Sequence, residues 1–255
     1  MNSAGRILAI YDRLVRSDRG TGTPMHKVWA DVFGLQPDGP HLEDEVVTCL
    51  QALRSEIDLL RSRLAENNIP EDLMHPGITR LRNITSTIYI NNEWRGLADE
   101  VSRPENRLSI AWAKWALRDE DEDDMPAEEM AALLSELDSL EDSLKQAEMT
   151  QYLRAFIQRQ LESIRAALQV YRVQGVKPIE EALQQVAGAC MLQRNRIETE
   201  YATASESTKS VIKRTGEVIE KTAKVADNLD KIRKFGEGAW SLASNVGPLL
   251  LTLVK

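Results

Sequence analysis

Two cysteines are too few for a disulfide framework, and Cys49 and Cys190 stand far apart, with no paired spacing that a zinc knuckle would use. A reducing compartment is expected. The chain also lacks an apolar h-region at its start: in MNSAGRILAIYDRLVRSDRG, Ile7, Leu8, Ile10, Tyr11, Leu14 and Val15 recur at helical spacing between Arg6, Asp12, Arg13 and Arg16. That pattern predicts an amphipathic helix and no signal peptide. Excess positive charge is missing too. A net charge of -8 argues against nucleic acid as a partner, because that interface needs clustered Lys and Arg to displace phosphate counterions.

Catalytic and cofactor signatures are equally scarce. Asp119, Asp121 and Asp123 start like a calcium loop, but Asp124 stands where the sharp turn needs Gly, Met130 where a bidentate Glu is needed, and Pro126 intrudes. A solvated acidic loop ahead of a helix is expected instead, its last acids favourable at the helix N-terminus. SDRGTGTP, residues 17 to 24, has two of the glycines of a phosphate loop but no following Gly-Lys-Ser/Thr, so it reads as an inter-helix turn. His26, His41 and His75 lie in or beside turns, and none has a second His or Cys one helical turn away. Cys49 falls on an apolar stripe and Cys190 in a small-residue stretch, as core thiols do. The sequence therefore implies no catalytic, cofactor-binding or metal-binding residue, and no enzyme.

Helical periodicity, by contrast, runs from end to end. Leu42, Val46, Cys49, Leu53, Ile57, Leu60 and Leu64 advance in steps of three or four, which lines one face of a helix over 41 to 68. QPDGP before it is a turn, and Pro70 ends it. Met130, Leu133, Leu137, Leu140 and Leu144 repeat the pattern, which shifts register and resumes at Leu153, Phe156, Ile157, Leu161, Ile164, Leu168 and Tyr171. A long helix or a hairpin of two is expected there, with Pro178 in the first turn of the next helix. ITSTIYI, residues 84 to 90, has the β-branched density of a strand but nothing to pair with, so it reads as helical. Trp112 and Trp115 share a helix face and are expected in the core, the alternative being an exposed patch for a partner protein.

From Thr208 to Phe235 the sequence cuts into sevens: TKSVIKR, TGEVIEK, TAKVADN, LDKIRKF. Thr208, Thr215, Thr222 and Leu229 hold one position, Val211, Val218, Val225 and Ile232 the next, and Ile212, Ile219 and Ala226 the third. A strict heptad repeat predicts a helix whose seam faces another helix, in its own chain or in another. Run backward, the frame permits one helix from Pro178 to Phe235, breakable at Gly216 or at residues 202 to 207. Beyond it, Gly238 to Val254 carries no charge, with Lys231, Arg233 and Lys234 ahead and Lys255 behind. Seventeen residues is the short limit for crossing a bilayer, which takes about 20. Three fates are open to the segment: a C-terminal helix packed in the core, docking on a partner protein, and conditional membrane entry with Trp240 at the interface and Leu242, Val246, Leu249, Leu250 and Leu253 inserted.

These features predict an all-α fold: a helical bundle of long amphipathic helices, a long heptad-patterned helix and a short apolar segment. Residues 1 to 205 form an acidic helical body, with short helices and turns over 1 to 125 and long helices over 126 to 205. Residues 206 to 235 form a basic heptad helix, and 236 to 255 an uncharged apolar segment. Charge follows the division, since residues 206 to 255 hold nine Lys or Arg against six Asp or Glu, leaving -11 on the first 205. The layout is similar to that of helical membrane-active toxins and of the cell-killing effectors of bacterial defence systems. That likeness implies a non-enzymatic effector, cytoplasmic and soluble until triggered, then membrane-associated through residues 231 to 255. Its partners would be an anionic membrane surface, or a second chain met through the seam residues Val211, Val218, Val225, Leu229 and Ile232. The alternative is a soluble scaffold or adaptor that recruits another protein through the heptad helix.

Overall fold

The computed structural model describes residues 1–17, 22–37, 39–70 and 75–229, with the side chains of 75, 76 and 227–229 excepted. Among them the chain is all-helical, with tightly packed helices and no strand. Clustering of contacts divides it into two compact units: Met1–Asp121 with Arg172–Gly175, and Glu122–Tyr171 with the chain from Val176 on.

The first unit holds six helices: α1 (Ser3–Arg16), α2 (Met25–Phe33), α3 (Leu42–Glu66), α4 (His75–Ile84), α5 (Arg95–Val101) and α6 (Pro104–Ala116). The amphipathic start of the sequence becomes α1, which packs on α2, α3 and α6 and buries Ile7, Ile10, Tyr11 and Leu14. Asn2 organises its entry. Its Oδ1 accepts from the Gly5 amide at 2.9 Å, and its Nδ2 donates to the carbonyls of Leu117 at 2.9 Å and Lys114 at 3.1 Å. One side chain thus caps the start of α1 and takes up orphan carbonyls at the end of α6. Arg6 and Glu56 form an ion pair at 2.7 Å with side chains only 6% and 1% exposed. Where α4 crosses α6 the backbones nearly touch. A Cβ on Gly77 would lie 2.8 Å from the Asn106 carbonyl oxygen, so only glycine fits. ITSTIYI is helical in pieces, Ile84 closing α4 and Thr87–Tyr89 making one 3-10 turn.

The second unit holds α7 (Ala127–Gln146), α8 (Gln151–Gln174), α9 (Lys177–Leu192), α10 (Arg194–Ala202) and α11 (Glu206–Leu229). The two candidate forms of the stretch from Pro126 resolve as a hairpin. Arg154 donates to the carbonyls of Leu144 and Ala147 at the turn, and Arg165 pairs with Asp138 at 2.7 Å and Glu141 at 2.9 Å, so α7 and α8 run antiparallel. Gly175 at φ 70° takes the left-handed turn after α8, and Pro178 sits in the first turn of α9. Leu137, Leu161, Ile164, Ile179, Val186 and Ile219 belong to one continuous apolar core. Each such side chain contributes about 1.5–3 kcal/mol relative to exposure.

The stretch from Pro178 on is three helices. It breaks at Gln193 and again at Thr203–Ser205, and α11 passes through Gly216 without interruption. The compositional boundary at 205/206 therefore coincides with the start of α11, while the contact division falls at Asp121/Glu122.

Candidate functional site

The heptad helix is the first place to look for a partner surface, and its stripe is covered. Val211, Ile212, Val218, Ile219, Val225 and Ala226 are all buried in the core of the second unit. The threonines that weaken the repeat on paper are buried as well, and their hydroxyls are satisfied. Thr215 and Thr222 donate back to the carbonyls of Val211 and Val218, each at 2.8 Å, and Thr208 donates to the Glu148 carbonyl at 2.6 Å. Small side chains with satisfied hydroxyls let α11 lie close to α7 and α9. Polar contacts fix the direction. Arg214 donates to Ser143 and Ser139, and Lys221 pairs with Glu136, so α11 runs antiparallel to α7. Of the two seams open to the sequence, this is the one closed within the chain. Leu229 ends α11, and its side chain lies outside the described residues, as do Ile232, Lys231, Arg233, Lys234, Trp240, Leu242, Val246, Leu249, Leu250 and Leu253. No helix of the described residues is long and apolar enough to cross a membrane.

The groups with reactive chemistry are dispersed. Cys49 and Cys190 are buried, and burial pushes each thiol up to about 12, far from the thiolate a nucleophile needs. His41 is exposed ahead of α3, and His26 opens α2 with its backbone amide on the Ile90 carbonyl at 2.9 Å. In the acidic run, Glu120 faces Arg63 at 3.7 Å and Asp121 accepts from the Asn2 amide at 2.7 Å. Among the described residues no three of His, Cys, Asp or Glu gather as a metal site. Residues 18–21 of SDRGTGTP lie outside the described residues.

A cleft of about 430 Å³ opens in the second unit between Glu148–Thr150 and Thr203–Thr208. Its polar groups are turned on one another: Thr150 donates to Glu200 at 2.6 Å, and Ser205 bonds Thr208 at 3.1 Å. Among the residues that line it there is no Lys, Arg or His.

The tryptophans overturn an expectation. Trp112 and Trp115 are not core: they are 38% and 61% exposed, beside Leu108 at 70%. The inward face of α6 is Asn106, Ile110, Ala113 and Leu117. The Asn106 amide donates to the carbonyls of Glu100 and Val101, both at 3.0 Å, so a polar residue holds a core position by bonding backbone. Among the described residues the buried tryptophans are Trp29, stacked on Phe33 with centroids 5.3 Å apart, and Trp94, whose indole donates to the Ser17 carbonyl at 3.2 Å. No family model, no curated protein and no solved structure matches the chain.

Proposed function

We propose that this chain is a non-enzymatic helical effector, a bundle of long amphipathic helices that stays cytoplasmic and soluble until triggered and then acts, toxin-like, at a membrane through residues 231 to 255. The observation that carries this reading is the burial of Val211, Val218 and Val225 within their own chain. A covered seam is not a free surface for a partner, which counts against an adaptor recruiting through the heptad helix. The segment on which the membrane reading rests is the uncharged run Gly238 to Val254 behind Lys231, Arg233 and Lys234. Cations beside such a run draw it to an anionic surface by about 1 kcal/mol each, and its leucines then partition into the acyl boundary.

The test is liposome binding and leakage, on the intact chain and on a fragment beginning at Thr208. Anionic liposomes respond at low salt more than at high salt, and neutral ones respond less. Leu250→Asp abolishes the response, because a carboxylate near the middle of the inserted segment costs on the order of 2.5–3.5 kcal/mol. If neither protein binds anionic liposomes, and expression neither slows growth nor depolarises cells, the effector reading fails and the adaptor takes its place.

A further inference from the structure

Leu108, Trp112 and Trp115 lie opposite the buried face of α6, at spacing i, i+4, i+7. At 100° per residue they fall within roughly 60° of one another and make a stripe about 10 Å long. Four exposed cations accompany it: Arg107 and Lys114 within α6, Arg103 at its N-cap and Arg118 just past its end. Two contacts shape this face. The Arg118 guanidinium lies 4.6 Å from the centre of the Trp115 ring and donates to the Trp115 carbonyl at 3.1 Å, which holds the indole in place. Arg107 is tied to Asp12 at 2.8 Å, while Arg103 and Lys114 are exposed and Arg118 is exposed beside the Trp115 ring. On the far flank Glu105 turns to Arg80 at 3.8 Å.

We propose that the outward face of α6 docks an acidic amphipathic helix of a partner protein. Its apolar residues cover Leu108, Trp112 and Trp115, and its carboxylates meet Arg103, Lys114 and Arg118. Spacing of i, i+4, i+7 is what a second helix laid along α6 engages, and Trp and Arg are the residues that dominate such contacts. Charge decides the partner's chemistry, since cations beside an apolar stripe select acids on one flank of the incoming helix. An anionic membrane fits less well, because an extended surface also meets the acidic run 119 to 124 that follows α6, whereas a single helix contacts only the stripe and the cations beside it. A second copy fits less well too. Among the described residues the other exposed large hydrophobics are Ile88, Met191 and Leu192, and the last two stand at the end of α9 far from its acids Glu180 and Glu181. This docking face is independent of the membrane reading of residues 231 to 255.

The experiment selects displayed peptides of about 16 residues, with Leu fixed at i, i+4 and i+7 and the other positions free, on the full chain. Counter-selection uses a Trp112→Ala, Trp115→Ala chain, whose melt stays that of the parent because neither indole is buried. Enriched peptides are expected to carry Asp or Glu along one flank, and to bind the parent ~tenfold or more tightly than they bind Trp115→Ala or Arg118→Glu. The proposal is overturned by no enrichment over the counter-selected chain, by enrichment of Lys or Arg, or by a double variant that melts lower. Two further results overturn it in favour of another occupant. One is phosphatidylserine vesicles quenching Trp112 and Trp115 where no peptide binds. The other is a dimer in sedimentation that Trp115→Ala dissolves.

Discussion

The two units are specified by different means. In the second, apolar residues at every third or fourth position of α7, α8, α9 and α11 build one core, and ion pairs such as Arg165 to Asp138 decorate its surface. In the first, helices from 7 to 25 residues long are also tied by polar bonds that reach across the sequence, from Asn2 to Leu117, Tyr11 to Val101 and Arg6 to Glu56. Repetition makes one unit readable from its pattern. Long-range polar bonds make the other depend on single residues with no near substitute.

Removing such features separates the units. The largest effect is expected from Val218→Lys with Val225→Lys. A seam closed in its own chain leaves charges buried without partners, at ~3–5 kcal/mol, so the second unit unfolds, whereas an intermolecular seam would yield a folded monomer. Circular dichroism with sedimentation distinguishes the outcomes. Glu56→Ala removes the carboxylate from the buried Arg6 guanidinium, which keeps the Met1 carbonyl at 2.9 Å, and costs the first unit ~3–5 kcal/mol in denaturant melts, while Arg6→Met with Glu56→Leu restores most of it. The thiols report the two units separately, since Cys49 lies in the first and Cys190 in the second. The seam variant should speed alkylation of Cys190 first, and Glu56→Ala that of Cys49.

The same thiols set a pH dependence. Each is held at about 12 when folded, against 9.0 for an ordinary thiol, so the folded state retains a proton that the unfolded chain releases. Their stabilising contribution is complete below pH 9 and is lost as pH rises from 9 toward 12, which melts across that range detect. Cys49→Ala and Cys190→Ala should each flatten the decline. The smallest effect belongs to Trp115→Ala, within about 0.5 kcal/mol in a thermal melt, because an outward indole leaves no cavity.

This contrast also explains what the sequence disclosed. α3, α7 and α8 follow their apolar spacing, and the break at Thr203–Ser205 falls in the small polar stretch that marks it. The break at Gln193 carries no Pro or Gly. There α9 gives way to α10, which buries only Ile197, so no apolar stripe holds the two in one line. The face of α6 was misread. Indoles at i and i+3 resemble core, but the stripe Asn106, Ile110, Ala113 and Leu117 on the opposite side of α6 is the buried one, and Asn106 breaks its apolar pattern in the sequence. Closure of the seam within one chain was undecided in the sequence, because a heptad pattern is the same whichever chain supplies the other helix.

The most direct test of the account is hydrogen exchange on the full chain with and without anionic vesicles. Peptides covering 231 to 255 are expected to gain protection on adding vesicles, while Val211 to Val225 keep the slow exchange of a buried helix. Loss of protection across α11, or no change at all in 231 to 255, would contradict the account.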